Sequence, residues 1–243
     1  MQKAVKQYFS STNNLLYSYL VSLPLFLIYE ALIFISQPES DHIVRISVDA
    51  WIKYLFTALG VNAVSVSLLI IALLGFFILY KEREVLRKLR FKYFPIMLVE
   101  AMIYAVVVAT ISRFIVSLVL NMAVSDPVQQ LTFTQKIALS LGAGLYEELF
   151  FRVILVSVFI FIFNKIFDKK KWASVSAAII LSAFLFSAVH YIGSMGDQFT
   201  LNSFFYRFVF GLILSGLYVW RGFGVTAWTH AIYDVLVFTF LSA

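Results

Sequence analysis

A 243-residue chain that is 62% hydrophobic and only 13% charged, with a mean hydropathy of +0.91, lacks the roughly 25% charged residues of a soluble domain. It has no Cys, which excludes disulfides, Cys-ligated zinc and thiol catalysis. The formal charge of +6 sits mostly between apolar runs, where basic residues set membrane topology, so it argues against a nucleic-acid partner. These features predict an all-α fold, a polytopic transmembrane helical bundle forming one integral-membrane domain over 1–243 in contact with the lipid bilayer.

Apolar runs near the roughly 20 residues that a spanning helix needs predict seven spans, or eight if one more is hidden, near 14–36, 62–80, 95–122, 134–164, 173–192, 203–220 and 223–241. The first run continues past Pro24 and Glu30 without a small-residue cleavage site, so it reads as a retained span rather than a signal peptide. Between the first two runs, residues 49–60 carry Trp51, Lys53 and Tyr54, the pattern of a short interfacial helix. The fourth run, 134–164, at about 1.5 Å per residue covers roughly 45 Å against a 30 Å hydrocarbon core. It is expected to protrude, tilt, or break near Gly142 and Gly144.

Cations cluster at Lys3 and Lys6, at Lys81, Arg83, Arg87, Lys88, Arg90 and Lys92, at Lys165, Lys169, Lys170 and Lys171, and at Arg221. The alternate segments hold Asp126, Asp197 and a mixed first loop with Glu39, Asp41, Arg45, Asp49 and Lys53. The positive-inside rule places the N-terminus in the cytoplasm and, with seven spans, the C-terminus outside; an eighth span reverses the latter. Trp172 and Trp220 fall at predicted interfaces, as aromatic-belt residues do.

Ionisable residues at membrane depth mark function by default, and three clusters of them stand out. In the fourth run, Glu147-Glu148 precedes Arg152. Four-residue spacing lets Glu148 pair with Arg152 on one α-helical face, whereas Glu147, five positions away, is expected to point elsewhere and face a cavity. The fifth span ends in Phe186-Ser187-Ala188-Val189-His190, and the seventh carries His230 and Asp234, again four apart. The chain has 3 His: these two and His42, in the first outer loop. Glu30, Glu100 and Arg113 also lie in spans, where each lines the cavity or pairs with another helix. The Phe-rich stripes at 150–163 and 204–210 read as lipid-facing or packing surface.

A carboxylate and an imidazole can hold a water and take its proton, and a second imidazole can stabilise the oxyanion on an attacked carbonyl. Glu147, His190 and His230 supply those groups. The same three could instead bind zinc, whose ligands are His and carboxylate, although no HExxH motif is present.

The three motifs resemble those of the CPBP family, the CAAX proteases and bacteriocin-processing enzymes also called Abi. That family's pattern is Glu-Glu-x-x-x-Arg, then Phe-x-x-x-His, then His-x-x-x-Asn or Asp, on separate transmembrane helices. Here Glu147-Glu148-x-x-x-Arg152, Phe186-x-x-x-His190 and His230-x-x-x-Asp234 match in order, and the resemblance covers roughly 134–241. It implies an intramembrane endopeptidase in which Glu147 and His190 activate water, His230 stabilises the tetrahedral intermediate, and Glu148 and Arg152 shape the site. Position 234 is Asp rather than Asn; an ionised Asp cannot donate to an oxyanion, which leaves it to orient His230 and keep it protonated, to be protonated itself, or to suit a metal better than Asn does. The metal-independent glutamate mechanism is favoured, with no cofactor; a metalloprotease would hold zinc on Glu147, His190 and His230. The expected substrate is a membrane-associated peptide or protein, and the short polytopic form points to a prokaryotic cell membrane. The alternatives are a non-catalytic bacteriocin-immunity or scaffold protein, and a proton-coupled transporter, against which the lack of a visible repeat counts.

Overall fold

The computed structural model describes residues 2–36, 45–60, 63–120, 131–168, 170–193 and 196–241. His42, Glu39, Asp41, Asp126, Lys169 and the predicted span ends at 62 and 121–122 lie outside the described residues.

The described residues form helices and short links. In chain order they are α1 (Gln2–Thr12), α2 (Leu15–Ser36), α3 (Ser47–Ala58), α4 (Ala63–Lys81), α5 (Arg83–Leu86), α6 (Tyr93–Leu120) and α7 (Phe133–Gly142). Two π-helical segments, Ala143–Glu147 and Leu149–Val156, follow α7 and run into α8 (Ser157–Ile166). The remainder is α9 (Lys171–Val189), α10 (Leu201–Arg221), α11 (Phe223–Leu236) and a last π turn, Val237–Leu241.

Among the described residues, five stretches are long and apolar enough to cross a membrane: Leu15–Ser36, Tyr93–Phe114, Phe133–Ile166, Lys171–Val189 and Leu201–Arg221. Val66–Lys81 is a shorter apolar helix. The predicted seventh span corresponds to α11 and its π turn, which are not among the five. At 14 residues α11 is shorter than a spanning helix needs, and it packs against α6, α2, α7, α10 and the first π segment. It is the helix surrounded by protein, and its buried positions (Gly224 to Ala227, Thr229 to Ala231, Tyr233) run round most of its circumference. A helix enclosed by protein can carry Thr, His, Tyr and Asp that lipid would reject.

Local signals account for the main boundaries. Thr132 and Gln135 form a reciprocal capping box that starts α7. Thr200 caps α10 by accepting from the Ser203 N–H. Gly222, at φ +79°, supplies the left-handed residue between α10 and α11. Residues 47–58 are helical, as predicted for the first loop.

Two charged residues set aside by the sequence reading lock the bundle. Arg221, expected to be a topology signal, is 1% exposed. Its Nε donates to Glu100 Oε1 at 2.6 Å and its Nη2 to Glu100 Oε2 at 2.9 Å. Nη2 also reaches Thr12 Oγ1 at 3.0 Å, Tyr8 donates to Glu100 Oε2, and the guanidinium lies over the Phe9 ring. This network ties α1 to α6 and to the end of α10. Breaking a buried ion pair by removing one partner costs on the order of 3 kcal/mol. Glu100→Ala is therefore expected to release α1, seen as faster trypsin cleavage after Lys3 and Lys6 than in the wild type. Unchanged cleavage would show that α1 is held by its apolar contacts alone.

Candidate active site

The continuous helix from Phe133 to Ile166 does not break at its glycines, as the sequence allowed; it changes pitch there. From Ala143 the chain is π-helical, with i→i+5 bonding, a geometry that in α-helices clusters at functional sites. Small residues permit the close approach. A Cβ on Gly142 would meet the Tyr29 ring at 2.5 Å, and one on Gly144 would meet Ala227 O at 2.4 Å and the Ala231 nitrogen at 2.7 Å. From α9, Ser182 Oγ donates to Phe151 O at 2.6 Å, satisfying a carbonyl of the irregular stretch. Gly144→Ala is expected to wedge this segment from α11, since overpacking of this kind costs about 1–3 kcal/mol. A melting temperature equal to wild type would contradict this contact.

Glu148, at 0% exposure, is the hub. Its Oε1 accepts from His230 Nδ1 at 2.7 Å and lies 3.1 Å from Arg152 Nη1. The second contact is an ion pair by distance; no guanidinium N–H of Arg152 is aligned for a hydrogen bond. The guanidinium instead lies over Phe186, 4.5 Å from the ring centroid. The predicted Glu148–Arg152 pair is thus present, and the same carboxylate also takes the histidine of α11.

His230 is held from both sides. Its Nε2 is 3.5 Å from Asp234 Oδ2, one turn on, and its ring packs edge-on against Phe210 at 5.0 Å. Nδ1 of His190 lies 2.7 Å from Phe186 O. A carbonyl only accepts, so Nδ1 carries the proton and Nε2 keeps its lone pair. Phe186 packs against both His190 and His230, with centroids at 5.0 and 6.3 Å.

Glu147 is 7% exposed, and its carboxylate makes no hydrogen bond among the described residues. The charges of His230, Asp234, Arg152 and Glu148 all act on it. Glu147 closes the first π segment and Arg152 lies in the second, so the α-helical spacing used for Glu147 does not describe this stretch. All three motifs therefore meet, from the π segments, the end of α9 and the middle of α11.

Residues 129–236 match the family model for type II CAAX prenyl endopeptidase, Rce1-like. Over this stretch, somewhat less than half of the chain, the sequence is similar to the CAAX protease family. No curated protein and no solved structure matches the chain. The similarity to a protease family and the apolar helices support an integral membrane protein.

Nδ1 of His230 faces Glu148 and its Nε2 faces Asp234. No set of three or more His, Asp or Glu converges on a metal position among the described residues.

Several residues of the site escaped the sequence reading. Phe151 and Phe210, assigned to lipid-facing or packing stripes, are 2% and 4% exposed and wall the site. Tyr206 and Tyr233 meet through their hydroxyls beside Asp234. Arg207, in the apolar run of α10, escaped notice although a cation at that depth is itself a signal. Tyr146, just before Glu147, donates to Glu30 Oε1 at 3.2 Å. Glu30 in turn pairs with Lys53 at 2.5 Å and Arg45 at 3.3 Å. Glu30 and Glu100 thus pair with other helices or the first loop. Arg113 is exposed, and its charge acts on Tyr206 and Tyr233.

Proposed function

We propose that the protein is a CAAX-protease-like intramembrane endopeptidase that hydrolyses a membrane-associated peptide or protein by a glutamate-activated water. The observation that carries the reading is the convergence of three motifs, centred on the shared contact of Glu148 with Arg152 and His230.

In this reading Glu147 and Nε2 of His190 hold the attacking water. Glu147 is the general base, supported by a carboxylate that makes no hydrogen bond among the described residues. His190 has the one ring lone pair that its bond to Phe186 O leaves open. The proton taken by Glu147 passes to the leaving amine as the tetrahedral intermediate collapses. His230 faces a carboxylate on each side, so N–H groups on both nitrogens satisfy both. The wider contact, at 3.5 Å to Asp234, is the N–H free to turn towards an oxyanion. Asp234 orients that N–H rather than donating itself, and the site works without metal. The cytoplasmic N-terminus, the seven spans and a prokaryotic cell membrane belong to the same proposal.

Cleavage of a quenched fluorescent peptide library by detergent-purified protein tests the reading. Wild type is expected to cleave and Glu147→Ala, eluting and melting as wild type, is not. Equal cleavage by both would remove Glu147 from the chemistry. Ion-coupled uptake into proteoliposomes without cleavage would favour a transporter.

A further inference from the structure

We infer that Arg207 and Asp197 form a positioning pair that fixes His190, the residue at which α9 ends. The inference rests on the peptidase reading of His190 given above.

The helix runs to Val189, so His190 stands where the backbone ladder gives out and ends ordinarily fray. Two bonds hold it. Its ring is tied back to Phe186 O at 2.7 Å. Its carbonyl accepts the N–H of Asp197 at 2.8 Å, so the chain returns to His190 after leaving the helix.

The side chain of that same Asp197 is gripped by Nη2 of Arg207, which reaches across from α10. Nη1 of Arg207 donates to the hydroxyl of Tyr191 at 2.9 Å, the residue immediately after His190. The Tyr191 hydroxyl donates to Ser203 Oγ, also at 2.9 Å, and the guanidinium lies over the Tyr191 ring at 5.3 Å. One α10 side chain therefore holds both the residue that follows His190 and the residue whose amide caps its carbonyl. The Arg207 charge also acts on His190 directly.

The pair is partly exposed, at 23% and 27% of the two side chains. Ion pairs in such settings add little to stability. Its leverage is geometric: a base displaced by about 1 Å loses up to roughly 100-fold in rate. The bidentate reach of a guanidinium suits it to holding two partners at once.

With only 3 His in the chain, protein labelled with 15N-histidine gives few ring signals, and His190→Gln assigns the one that matters. Asp197→Asn and Arg207→Gln are each expected to move the His190 ring signals and leave those of His230 in place. Asp197→Glu should return them towards wild type. In the peptide assay the first two variants are expected to lower kcat on the order of 10- to 100-fold, with KM within about 2-fold, because binding is not what the pair serves. His190 signals that stay in place in both variants would overturn the inference, whatever happens to cleavage. If the wild type cleaves no peptide yet the ring signals move, the pair stands and the peptidase reading falls.

Discussion

Arg152→Met is expected to be among the most destabilising single changes in this protein, by about 3–5 kcal/mol. Arg152 and Glu148 are both at 0% exposure, so neither charge is solvated by water. Removing the guanidinium leaves the Glu148 carboxylate with His230 as its remaining ion-pair partner among the described residues. It also removes the planar group lying on Phe186. Neutralising both partners should undo most of the damage: in Glu148→Gln/Arg152→Met no buried charge is left alone, and the amide oxygen can still accept from His230 Nδ1. The expected order of melting temperatures in detergent is therefore wild type close to the double variant, with Arg152→Met well below both. A single variant as stable as wild type would mean that the ion pair does not hold the site together.

The two histidines should separate chemistry from structure. His190→Gln is expected to lower kcat by on the order of 10²- to 10⁴-fold, the usual contribution of a positioned acid or base. Its melting temperature should change little, since among the described residues its ring makes one hydrogen bond, to Phe186 O. His230→Gln should lower kcat on a similar scale and also reduce stability, because that ring joins Glu148 on one helix to Asp234 on another. Equal loss of stability in the two would argue that His190 is a packing residue. Unaltered kcat in His190→Gln would remove it from the water-activating step.

Which parts of this site could be read from the chain follows from what periodicity encodes. The Glu148–Arg152 pair and the grouping of Glu147, His190, His230 and Asp234 were legible because membrane depth makes each ionisable residue conspicuous. The change of pitch was not, because helical spacing presumes an α-helix, and nothing in the run Leu145 to Val156 announces the two π segments found there. Arg221 read as a topology signal because it closes an apolar run; its partner Glu100 lies 121 positions away. Arg207 and Asp197 are an ordinary loop-and-helix pair in sequence, and only the return of the Asp197 amide to His190 gives them meaning. The enclosed position of α11 was equally hidden, since hydropathy does not distinguish a lipid-facing helix from one wrapped by its neighbours.

The most direct test of a metal-independent, glutamate-activated water is the chelator dependence of peptide cleavage by detergent-purified wild type, with Glu147→Gln beside it and product termini identified by mass. The expected result is cleavage at a defined bond, unchanged by chelator and absent in Glu147→Gln at wild-type melting temperature. Cleavage lost with chelator and restored by zinc would contradict the account, as would cleavage that survives in Glu147→Gln.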